Sequence, residues 1–157
     1  MSNEKILKLF DAYADDLYRF AVSYVGSWQE AEDIVQEVFL KLLSKNILLR
    51  SSHEKAYLFT VTANMCKDHL RAGKVRQSIT FDQIEDYMGD PSGFCEDDKV
   101  LLEAMLELDE KYRAPLYLHF YAGYTYKEVA KILRLSESAV AMRISRGKTE
   151  LKGRLEE

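Results

Sequence analysis

Very little in this chain of 157 residues interrupts a helix, for it holds only 2 prolines and 7 glycines. Its 2 cysteines are too few for a disulfide-built scaffold and suit a reducing compartment. Cys66 and His69 stand three apart, as helical metal ligands could, but no second pair with zinc spacing follows. Cys66 therefore reads as a small core residue, and no metal or cofactor is expected. No apolar run reaches the roughly 18 residues of a membrane span. The opening MSNEKILKLFDAYADD is too acidic and too amphipathic for a signal peptide. The expectation is a cytoplasmic protein without membrane insertion. There is no nucleophile–base pair and no glycine-rich phosphate loop. His53, His69 and His119 fall at unrelated places, so an enzyme is not expected.

What the sequence does contain is helical periodicity. Hydrophobic residues make up 47% of it and charged residues 31%, enough for a core and for a polar surface. From Glu4 to about Tyr24, Ile6, Phe10, Tyr13, Leu17, Phe20 and Tyr24 recur three or four apart. Gly26 closes that helix. Ser27-Trp-Gln-Glu30 has the form of a capping box and opens a second helix to about Ser44. Ser51-Ser-His-Glu54 repeats the signal and opens a third, to about Val75. A second block begins near Lys99 with a stripe of Val100, Leu101, Ala104, Met105 and Leu108. Asp109 can cap the next helix, which contains Pro115 and ends at Gly123. Thr125-Tyr-Lys-Glu128 caps a short helix to about Leu133, and Ser136 caps the last. No strand pattern is present. The predicted fold is all-α: helical units over 1–77 and 99–157, joined by a flexible acidic linker over 78–98.

Charge is segregated along the chain. The formal net charge is -4. The stretch from Asp82 to Asp98 holds Asp82, Glu85, Asp86, Asp90, Glu96, Asp97 and Asp98 and no base. From Thr125 to Arg154 the bases Lys127, Lys131, Arg134, Arg143, Arg146, Lys148, Lys152 and Arg154 face only Glu128, Glu137 and Glu150. An acidic total thus hides a basic C-terminal unit.

Three helical faces carry the functional signal. At about 100° per residue, Val140, Ile144, Gly147 and Leu151 of the last helix point inward. Ser138, Met142, Ser145, Arg146 and Thr149 point outward. A short helix, a four-residue turn and a capped helix make a helix-turn-helix, whose second helix enters the DNA major groove. Arg146 can reach a guanine bidentately, with Arg143 and Lys148 on the phosphate flanks. A plain solvated face is the alternative. In the third helix, Tyr57, Thr60, Asn64, Lys67, Asp68, Arg71 and Lys74 share one face, and Arg76 extends its charge. Bases, an amide and an aromatic suit phosphate, base edge and unpaired base. Here too a solvated face is the alternative. In the second helix, Leu40 and Leu43 stand among Asp33, Gln36 and Glu37, opposite Ala31, Ile34, Val38 and Leu42. That acidic, leucine-bearing face suggests a protein partner with a basic, partly apolar surface, or else a tertiary contact.

These faces, in this order, resemble the extracytoplasmic-function sigma factors of bacteria. LFDAYADDLYRFAVSYVGSWQEAEDIVQEVFLKLL looks like the family's region two, and AEDIVQEVFLKL is its most specific part. YLFTVTANMCKDHLRAGKVR is similar to the segment that handles the minus-ten element. LELDEKYRAPLYLHFYAGYTYKEVAKILRLSESAVAMRISRGKTELK looks like the region-four unit that reads the minus-thirty-five element. The resemblance implies a factor that binds core RNA polymerase, directs it to a promoter and helps melt the DNA. Carried over by position, Asp33, Gln36, Glu37 and Leu40 would dock on polymerase, with Leu43 beside them. Asn64, Lys67, Asp68 and Arg71 would meet minus-ten DNA, with Tyr57, Lys74 and Arg76 on the same surface. The loop Lys45 to Ser52 would capture a flipped base. The acidic linker would thread the polymerase cleft. Ser138, Ala141, Met142, Arg143, Ser145, Arg146 and Lys148 would form the minus-thirty-five surface. An anti-sigma factor is a common partner in the family; one would cover the exposed leucines or clamp the two units together.

Two departures stand out. Arg134 occupies the turn where the family usually has glycine, which implies a left-handed residue there at some cost. Ala141 and Met142 replace a basic and a small polar residue, favouring apolar contact with a thymine methyl. The rival readings are a helix-turn-helix regulator binding an operator as a dimer, and a helical interaction protein.

Overall fold

The computed structural model describes residues 3–44, 53–72 and 96–156. Among these every regular element is helical. The order is α1 (Asn3–Val25), α2 (Trp28–Ser44), α3 (Glu54–Arg71), α4 (Glu96–Leu106), α5 (Glu110–Leu116), a π turn (Tyr117–Tyr121), α6 (Tyr126–Leu133) and α7 (Glu137–Leu155). Most of the acidic stretch lies outside the described residues. Its last three residues, 96–98, begin α4, so this helix starts three residues before the expected Lys99.

Local chemistry sets the helix ends. Gly26 and Gly123 take φ of 76° and 81°, a region that costs a glycine little, and so terminate α1 and the π turn. Asp109 accepts the N–H of Lys111, and Ser136 accepts that of Ala139. Thr125 and Glu128 close the full reciprocal box at the start of α6. At Ser27 the hydroxyl accepts from the Glu30 N–H at 3.3 Å, while the Glu30 carboxylate reaches His69 Nδ1 at 2.8 Å. The expected cap of the third helix, Ser51, lies outside the described residues; α3 begins at Glu54, and its N-cap His53 makes no side-chain cap bond. Pro115 lacks the N–H that an interior helical residue donates. The chain beyond it widens into the π turn instead of continuing as α-helix.

Helices α1 to α3 form one bundle and α4 to α7 another, and one apolar core runs through both. Phe20, with no exposed surface, sits 5.3 Å from Phe59 of its own bundle and 5.5 Å from Tyr117 of the other, by ring centroids. Phe59 also meets Tyr124 at 5.8 Å. Cys66 is buried in this core, and burial pushes its thiol pKa well up. Phe10, expected to face inward with its stripe, is exposed and packs edge-on against Phe39, while Leu9 is buried in its place.

Gly147 lets α7 approach α5 closely. A Cβ there would lie 3.0 Å from both Leu116 Cδ1 and Tyr112 Cβ. Alanine would gain about 1 kcal/mol of helix propensity but overpack the contact by about 1–3 kcal/mol. The end of the Leu116 side chain can shift, but Tyr112 Cβ is fixed to its backbone. Gly147→Ala is therefore expected to lower the thermal unfolding midpoint by a few degrees, and an unchanged or raised midpoint would show that the contact relaxes freely.

Candidate polymerase and promoter surfaces

Helix α2 buries Ala31, Ile34, Val35, Val38, Phe39 and Leu42 and leaves Asp33, Gln36 and Glu37 exposed. Leu40 is 61% and Leu43 51% exposed. Two leucines on an acidic, solvent-facing stripe take no part in the core, so neither bundle accounts for them.

On α3 the expected face is partly sheltered. Tyr57, Thr60, Asn64 and Lys67 are half-buried, and Asp68 and Arg71 are exposed. Tyr57, Asn64 and Asp68 gather with Lys41, Val38, Leu42, Val61 and Met65 around a hollow of about 170 Å³ between α2 and α3. The hollow offers a carboxylate, an amide, an ammonium group and an aromatic ring, groups that can take a single base by its edge and face. Lys67 Nζ donates to the Leu133 carbonyl, 3.4 Å away at the end of α6. Burial, then Arg143, Arg71 and Arg134, hold its pKa below the ordinary lysine value. Lys74, Arg76 and the loop 45–52 lie outside the described residues.

Helix α7 follows the expected geometry. Val140, Ile144 and Gly147 are buried; Ser138, Met142, Ser145, Arg146 and Thr149 are exposed, and Ala141 and Arg143 are half-buried. Lys148 Nζ lies 5.7 Å from the Phe120 ring centroid, at the edge of an apolar hollow of about 250 Å³ lined also by Met105, Leu116, Tyr117, Tyr121 and Leu151. The turn between α6 and α7 passes through Arg134 at φ 57°, ψ 46°, a left-handed arginine. Arg134→Gly removes that strain, and a gain of about 1 kcal/mol in unfolding free energy is expected by denaturant titration.

Periodicity left several residues unmarked. Arg113 donates to the Leu106, Leu108 and Tyr24 carbonyls at 2.9–3.2 Å. His69 is buried and pairs with Glu30 at 2.8 Å. Phe120 and Tyr121 are exposed beside the apolar hollow. An arginine amid the buried stripe of α5 was the available signal for the first. For His69 the sequence carried none, because its partner Glu30 lies on another helix.

Comparison with known proteins gives two family models. The sigma-70 region 2 model matches residues 9–76, and the sigma-70 region 4 model matches residues 98–151. The chain is 30% identical over 149 residues to the extracytoplasmic-function (ECF) RNA polymerase sigma factor SigM of Bacillus subtilis, covering 92% of this chain and 91% of SigM. It is 32% identical to SigX of the same organism, covering 94% of this chain and 82% of SigX. The chain belongs to the extracytoplasmic-function sigma factors. The fold of this sigma factor is also similar to that of the sigma factor RpoE from Bartonella quintana, solved in complex with the anti-sigma factor NepR. The TM-score is 0.72 at 22% identity, covering 98% of this chain and 95% of that one. The curated relatives are sigma factors, which are not enzymes. Among the described residues no helix of this sigma factor is long and apolar enough to cross a membrane.

Proposed function

We infer that this sigma factor uses three surfaces in one cycle of initiation. The acidic leucine face of α2 docks on core RNA polymerase. Tyr57, Asn64, Lys67, Asp68 and Arg71 of α3 meet minus-ten DNA, with an unpaired base at the hollow between α2 and α3. The α7 face of Ser138, Ala141, Met142, Ser145 and Arg146, flanked by Arg143 and Lys148, reads the minus-thirty-five element. Binding single-stranded DNA at α3 favours the melted promoter over the duplex, which is how a protein without catalytic groups assists opening. It performs no covalent chemistry and works in the cytoplasm, where polymerase and promoter are.

The observation that carries this reading is the exposure of Leu40 and Leu43 on an acidic stripe of a chain that also presents two separate basic, DNA-suited helices. A dimeric operator-binding regulator would need only the second of those helices. Adding the purified chain to the core polymerase of its own bacterium, with a library of that genome's fragments as template, should yield run-off transcripts with defined starts. Transcripts no different from those of core alone would sink the reading.

A further inference from the structure

We propose that Met142 is a reversible oxidation site, and that conversion of its thioether to the sulfoxide by hydrogen peroxide stops α7 from reading DNA. The proposal rests on the reading of α7 as the minus-thirty-five surface and adds a chemical control to it.

Sulfur in this chain is sorted by exposure. Of the three methionines among the described residues, Met65 is 4% and Met105 5% exposed, whereas Met142 is 48% exposed. Cys66 is fully buried, and burial pushes its thiol pKa well up, so little of the reactive thiolate forms. Oxidation follows exposure, so peroxide arriving from solvent meets Met142 before these three. In the step, the Met142 sulfur attacks one peroxide oxygen, and an S–O bond forms as the O–O bond breaks. Hydroxide leaves and takes up the proton shed by the transferred oxygen, giving water. The sulfur loses two electrons and the peroxide gains them.

Position decides what the sulfoxide does. Met142 stands in the middle of the outward face of α7, with Ser138 one turn before it, Arg146 one turn after it and Ser145 beside it, all exposed. Ser138 and Ala141 are short, so the thioether is the apolar group that reaches furthest from this part of the helix, and it suits a thymine methyl. A sulfoxide puts a polar acceptor against that methyl, where it is desolvated without a donor. It also stands four residues from Arg146, and side chains so spaced are neighbours on a helix. Its oxygen accepts a hydrogen bond from the guanidinium and draws it from the acceptors of guanine. Neither effect reaches the packing of α7, because Val140, Ile144 and Gly147 are buried on the other side. The helix keeps its fold and loses its reading.

The test treats the full chain with hydrogen peroxide, removes the peroxide with catalase, and then adds core polymerase and the library of genomic fragments. Peptide mass spectrometry should find sulfoxide at Met142 while Met65 and Met105 stay reduced. Circular dichroism should be unchanged, and so should co-elution with core polymerase, since α2 contains no sulfur. Run-off transcripts from the starts used by untreated protein should fall about tenfold, the size of one lost base contact. Met142→Leu, treated in the same way, should keep the transcript level of its own untreated sample. Methionine sulfoxide reductases of both stereospecificities should restore the treated wild type. Sulfoxide at Met142 with unchanged transcripts overturns the control, and an equal fall in Met142→Leu places the damage elsewhere and overturns it too. Oxidation of Met65 or Met105 ahead of Met142 overturns the sorting by exposure. Untreated protein that yields no defined starts strikes the assignment as a polymerase subunit, on which the proposal stands, whereas the other outcomes strike the oxidation site alone.

Discussion

Replacing Asp33 and Leu40 together with lysine is expected to abolish binding to core polymerase while leaving the fold intact. Both side chains are in solvent, Leu40 at 61% exposure, and the inward side of α2 with Ile34, Val38 and Leu42 is untouched. Exposed substitutions away from special features change stability by about 0.5 kcal/mol or less. Binding is another matter. An apolar anchor desolvated at the centre of an interface typically contributes 2 kcal/mol or more, and a lysine against a basic partner adds repulsion. The pair should thus weaken the complex by more than about a hundredfold. Co-elution with core polymerase measures the loss, and circular dichroism reports the fold. Leu7→Lys, on an equally exposed leucine of α1 at 65%, is the matched control and should co-elute normally. Retained binding by the double variant would move the polymerase surface elsewhere.

The leucine face illustrates what can be read from the sequence alone. Periodicity assigns sides to a helix, and on α2 and α7 those sides are the observed ones, from Ile34 and Leu40 to Ile144 and Arg146. Ends that depend on neighbours in sequence were legible for the same reason: Thr125 finds Glu128, and Ser136 finds Ala139, within one turn. An arginine in the buried stripe of α5 marks Arg113, but its partner was not legible, since the Tyr24 carbonyl it meets is 89 residues away and a backbone acceptor leaves no mark on residue type. His69 likewise finds Glu30 across 39 residues, so the glutamate read as half of a capping box serves a tertiary pair. Lys67 fell on the expected face, but a face says nothing of what covers it, and here the end of α6 does. At the left-handed Arg134 the resemblance to a family with glycine at that place exposed the strain, which local propensity would have hidden.

Arg146→Ala is expected to relax discrimination at one base pair of the minus-thirty-five element by about 1–3 kcal/mol, and to leave binding to the other positions nearly unchanged. Arg146 is exposed on α7 between Met142 and Thr149, and no ion pair holds its guanidinium among the described residues. It lies on the third turn of a helix whose N-terminal residues Ser138, Ala141 and Met142 are short or unbranched, so the backbone can come near the groove floor. A fork of donors at that reach matches the two acceptors of guanine, O6 and N7. Lysine at the same place supplies charge without the fork, so Arg146→Lys should restore overall affinity but not the discrimination. The contrast with Arg154 is instructive. Arg154 is tied to Glu107 at 3.0 Å and should change neither quantity when replaced by alanine. The measurement is a competition assay with every single-base variant of the element at fixed salt. A loss spread evenly over all sequences, with a salt slope lower by about one, would mean that Arg146 touches phosphate alone and that the specificity of α7 lies in Ala141 and Met142.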